Sequence, residues 1–88
     1  MDAPTVAARL RADGIACRVH RSGLCTASVM KPREQSWTGW LRARIEALPG
    51  AEVALVRERP AIDPYFMHAE VRFVVGVSAS ADPIEEQS

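Results

Sequence analysis

Two short runs, Ile15–His20 and Leu24–Met30, alternate inward-type and outward-type residues and are separated by Arg21-Ser22-Gly23. A period of two marks strands with one buried face. A three-residue hairpin loop commonly closes on a residue in the left-handed region, which glycine adopts without a Cβ clash. Gly23 stands at that position. The loop length then sets the register: Val19 pairs with Cys25, Cys17 with Ala27, and Ile15 with Val29. All six side chains fall on one face, so turn chemistry and hydrophobic pattern agree. No other segment limits the possible folds as tightly.

The remaining elements follow from caps and periodicity. Asp2 or Thr5 can cap a first helix, with Pro4 in its first turn and Val6 and Leu10 on one face. Gly14 marks its end. Lys31–Gln35 breaks the second strand. Ser36 is the expected cap of a second helix, Trp37 to about Leu48. Its stripe is Trp37, Leu41, Ile45 and Leu48, with Trp40 at the edge. Pro49-Gly50 stops it. A third strand runs from Glu52 to about Glu58 with Val53 and Leu55 inward. Arg59–Phe66 reads as a loop punctuated by Pro60 and Pro64. The fourth strand, His68 to about Ser78, turns Val71, Phe73, Val75 and Val77 inward.

The order α-β-β-α-β-β predicts a two-layer α+β sandwich: a four-stranded, mainly antiparallel sheet with two helices on one face. This is a permuted ferredoxin-like layout, with the first strand moved to the end. The chain has 88 residues, the size of one domain with a thin core. Residues 1–79 form that domain, and residues 80–88 a mobile acidic tail.

Composition narrows the function. Eleven basic residues balance eleven acidic ones, and a chain of zero net charge is an unpromising binder of nucleic acid. No basic stretch followed by an apolar run opens the chain, and no apolar run reaches the roughly 20 residues of a membrane span. A cytoplasmic protein without membrane contact is expected. Cys17, His20, Cys25 and His68 match no zinc spacing, and strand parity separates the cysteines from His20. In the hairpin the cysteines are diagonal neighbours, too far apart for a disulfide, and should stay reduced. The chain has no Gly-x-Ser-x-Gly elbow and no dinucleotide or Walker pattern. The turn accounts for Ser22 and the helix cap for Ser36. No catalytic residue, cofactor or metal site is therefore assigned.

Two surfaces are candidates for binding. The outer sheet face is expected to carry Arg18, His20, Glu70 and Arg72, with Ala54, Val56 and Val74 as an apolar row. The loop between prolines offers Ile62 and Tyr65 as anchors, while Phe66 and Met67 either join them or cover the core. These features predict a small, non-catalytic protein–protein interaction module of the adaptor or inhibitor type, such as a phage or mobile element encodes. Its partner contacts would be Val56, Val74, Ala54, Arg18, Arg72, Ile62 and Tyr65. The partner is another protein, or a second copy in a homodimer through the outer face. One alternative is a structural subunit of a larger assembly such as a phage particle. Another is a ligand-binding domain or enzyme with a site at a dimer interface, using His20, Arg18 and Arg72.

On this reading, glutamate at both Val56 and Val74 abolishes association and leaves the fold intact. Phe73→Ala is predicted to cost about 3–5 kcal/mol, as for a buried aromatic truncated to alanine. Urea denaturation reads the loss directly; unchanged stability would reverse the parity of the fourth strand.

Overall fold

The computed structural model describes residues 2–76. Its elements are α1 (Ala3–Ala12), β1 (Ala16–Val19), β2 (Leu24–Pro32), α2 (Thr38–Glu46), β3 (Ala51–Pro60) and β4 (Phe66–Val75). The expected inward Val77, the strand end near Ser78 and the tail 80–88 lie outside the described residues.

Of the two candidate caps for α1, Asp2 takes the role: its carboxylate accepts the Thr5 N–H at 3.0 Å. Val6, Ala7 and Leu10 are buried beneath the helix. The hairpin has the expected register, with Cys17 opposite Ala27 and Val19 opposite Cys25. Gly23 has φ +95°, and its N–H donates to the His20 carbonyl at 2.9 Å.

β2 runs two residues past Met30, contrary to the expected break at Lys31. The reason is that Lys31 is satisfied inside. Its ammonium donates to the carbonyls of Gln35 and Pro32 and pairs with Glu58 at 2.9 Å. A buried ammonium with three oxygen partners is tolerated where a bare one is not.

α2 begins at Thr38 and ends at Glu46, shorter at both ends than the apolar stripe suggested. Ser36 does not cap it. Trp37 holds the cap position without a side-chain bond, and the Ser36 hydroxyl meets the Thr38 hydroxyl at 3.4 Å. Leu41 and Ile45 are buried; Trp37 and Leu48 pack at the edge of the core. Trp40 is half exposed, edge-on to Trp37 and with the Arg44 guanidinium over its ring. Beyond α2, Gly50 has φ +81°, and its carbonyl accepts the Gly76 N–H, joining the start of β3 to the end of β4.

The strands lie in the order β1-β2-β4-β3, and every neighbouring pair is antiparallel. α1 packs chiefly on β1, and α2 on β3 and β4. Val6, Leu10, Leu41, Ile45, Val71 and Phe73 belong to one core. The chain is thus an α+β sandwich with helices on one face, and its strand order is compatible with the permuted ferredoxin-like layout.

β3 departs from the expected parity. Val53 sits opposite Phe73, Leu55 opposite Arg72 and Val56 opposite Val71, with a bulge between Val53 and Leu55. Leu55, expected inside, is on the outer face and 41% exposed. Val56, expected on the outer face, is half-buried and packs against the core. Unbroken alternation from Val53 would have driven Arg57 and Arg59 toward the core. One extra residue at Ala54 resets the phase, at the loss of one ladder position. The expected loop also shrinks: β3 reaches Pro60 and β4 starts at Phe66, so Phe66 and Met67 are strand residues.

The reversed parity has a direct test. Val56→Glu should cost more than about 2 kcal/mol by placing a charge against the core, and Leu55→Glu only about 0.5–1 kcal/mol. Urea midpoints in the opposite order would remove the bulge.

Candidate functional site

The outer face is built around Glu70. Alternation along β4 turns Ala69 and Val71 inward, so Glu70 points outward from a central strand. Ser28 of β2 lies on one side of it and Arg57 of β3 on the other. Yet the carboxylate is covered, with only 2% of the residue exposed. Three guanidiniums cover it. Arg57 Nε donates to Oε2 at 3.0 Å, Arg72 Nε donates to the same oxygen at 3.1 Å, and Arg59 Nε donates to Oε1. Burial pushes the Glu70 pKa up. The hydrogen bonds from Arg59 and Arg57, and their positive charges, outweigh it and hold the carboxyl below its ordinary value of 4.5.

The three arginine side chains remain 42, 42 and 39% exposed for Arg57, Arg59 and Arg72. Across the sheet, Arg72 faces Thr26, and Thr26 faces Arg18 of β1. His20 Nε2 and Thr26 Oγ1 are hydrogen-bonded at 2.9 Å. Arg18, His20, Arg57, Arg59, Glu70 and Arg72 share one shallow hollow of about 500 Å³. Four guanidiniums against one carboxylate leave this hollow positive, although the chain as a whole is neutral; Glu52, exposed opposite Val74, stands further along the same face. Exposed Met30, Leu55 and Val74 flank the hollow.

Of the residues singled out from sequence, Arg18, Arg72 and Val74 come together on this face. Ala54 is exposed at the bulge in β3. Val56 does not belong here, because it packs on the helix side. Ile62 and Tyr65 are well exposed, but in the β3–β4 turn beyond the sheet's end rather than in the hollow. Phe66 falls in the outer row of β4 by alternation, so an aromatic does sit at one margin of the face. Sequence reasoning missed Arg57 and Arg59 and gave Glu70 no special part. The available signal was the contradiction itself: no unbroken strand through Val53 keeps both arginines out of the core.

Elsewhere the chemistry is quiet. Cys17 and Cys25 are free and buried, and burial raises both thiol pKa values, the negative charge of Cys25 adding to the rise at Cys17. Among the described residues no three His, Cys, Asp or Glu side chains cluster as metal ligands. No helix among them is long and apolar enough to cross a membrane. No family model matches the chain, and neither a curated protein nor a solved structure matches it.

The Glu70 cluster carries a pH signature. A carboxyl with a lowered folded pKa binds fewer protons in the native state than in the unfolded one. Its stabilisation is present above 4.5 and is lost as pH falls through the lower folded value. Glu70→Gln should cost about 1–3 kcal/mol at neutral pH, discounted for the exposure of the arginines. It should also flatten the acid limb of stability against pH. Urea midpoints at a series of pH values check both; superimposable profiles for wild type and variant would contradict the cluster.

Proposed function

We propose that this chain is a small non-catalytic binding module that docks an acidic surface of another protein on the outer face of its sheet. The observation that carries this reading is the four-arginine hollow, three of its guanidiniums fixed by one buried carboxylate. A guanidinium already held in place loses less freedom on binding, so more of each contact is kept as affinity. Arginine and methionine are enriched at interfaces, and Met30, Leu55 and Val74 supply apolar contact beside the charges.

Charge also bears on the choice of partner. A second copy of the chain, docked face to face, would bring arginines against arginines, a like-charge arrangement that costs rather than contributes. We therefore favour a different, acidic protein over the homodimer. Nucleic acid suits the face less well, because single strands are gripped by aromatic platforms and Phe66 stands alone at the margin. The assembly-subunit reading draws on the open edges β1 and β3. However, β3 carries a bulge, Pro60 and alternating charges, devices that discourage edge pairing. Adaptor or inhibitor is the kind of role such a module fills, and free buried cysteines suit a reducing compartment such as the cytoplasm.

The test is affinity capture followed by direct titration. The control is Arg18→Glu with Val74→Glu, which alters the face and leaves the contacts of Glu70 alone. The reading expects one acidic partner, bound by wild type more weakly as salt rises and lost by the double variant. Retention by the double variant, with loss on Ile62→Ala and Tyr65→Ala, would move the site to the turn.

A further inference from the structure

We infer that the acidic group taken by this face is a phosphate monoester on a side chain of the partner, held by Arg18, Arg57, Arg59 and Arg72. The inference rests on the docking reading above and specifies its chemistry.

Arg57, Arg59 and Arg72 each spend Nε on Glu70. Among the described residues their terminal Nη groups make no other hydrogen bond, and Arg18 donates none. The resident carboxylate therefore positions the guanidiniums and leaves their outer donors free. Paired and fixed arginines with unspent Nη groups are what charge-assisted recognition of an oxyanion requires.

The free donors come from β1, β3 and β4 and surround one hollow. They do not form a single flat fork. A planar carboxylate with two oxygens matches one fork, while a tetrahedral group with three terminal oxygens engages donors from several directions. Phosphate also carries more of the charge the hollow lacks, being close to a dianion at neutral pH. Recognition of phosphorylated segments by arginine clusters works on these terms.

The hollow is shallow and open on an exposed sheet, whereas small-molecule sites bury most of their ligand. A free phosphate would stay largely hydrated here. A phosphorylated side chain brings the rest of its protein onto Met30, Leu55 and Val74 and gains apolar contact that the free ion lacks.

The experiment is an NMR titration of the arginine Nε–Hε signals with three short neutral peptides, carrying one phosphoserine, one glutamate or one serine, and with inorganic phosphate. The phosphoserine peptide should shift the signals of Arg57, Arg59 and Arg72 saturably. The glutamate peptide should bind roughly tenfold more weakly and the serine peptide not at all. Arg18→Gln, which leaves Glu70's partners in place, should weaken the phosphoserine peptide several-fold with an unchanged backbone spectrum. Equal shifts with the glutamate peptide would overturn the phosphate assignment and leave the acidic-partner reading standing. Equal binding of inorganic phosphate would overturn the protein-borne source. No shift with any probe would overturn the inference outright. Capture of the acidic partner before and after phosphatase treatment then separates the two levels, since capture that survives dephosphorylation retains the docking reading alone.

Discussion

A carboxylate withdrawn from water must be paired or give up its charge, and Glu70 is paired three times. That requirement links the architecture to the surface. Glu70 lies on a central strand between β2 and β3; β2 offers only Ser28 opposite it, and its partners come from its own strand and from the edge strand β3. Arg72 stands two residues along β4, and Arg57 and Arg59 stand across the ladder on β3. The two arginines of β3 reach the outer face only because the strand slips one residue at Ala54. A local irregularity in an edge strand thus assembles the charged centre of the open face.

The helix side obeys the complementary rule. Phe73, Val71 and Ala69 point from the same strand into the core, where Leu10, Leu41 and Ile45 close over them. The inward row also takes Lys31, which is satisfied by carbonyls and by Glu58 at the end of the sheet. Among the described residues each face of the sheet therefore holds one buried charge, and β3 past the bulge supplies partners to both. Glu58 serves the inner face, and Arg57 and Arg59 the outer one. The bulge sorts these three consecutive charges onto the faces where their partners wait.

Most of the architecture was legible in the sequence. The alternation around Gly23 led to the right hairpin register, and the pattern of β4 to the right inward row as far as Val75, because both are local signals with period two. Helix boundaries were less legible: Ser36 has a capping side chain, but the chain enters α2 through Trp37. The run Lys31–Gln35 breaks the alternation, and the partners that let Lys31 stay in the strand lie at Gln35 and across the sheet at Glu58, beyond any local signal. The site was legible only in part. Arg18, Arg72 and Val74 follow from parity alone. Arg57, Arg59 and the misplaced Val56 depend on a bulge, which leaves no residue signature beyond the frustrated parity of the charges after it.

Arginines organise the outer face by holding Glu70 ionised. The most direct measurement is an NMR pH titration of the Glu70 side-chain carboxyl carbon in the folded protein. A carboxylate held by three guanidiniums should have its midpoint below the ordinary 4.5. A midpoint at or above that value would mean that burial outweighs the guanidiniums and that the face is not pre-arranged to take an anion.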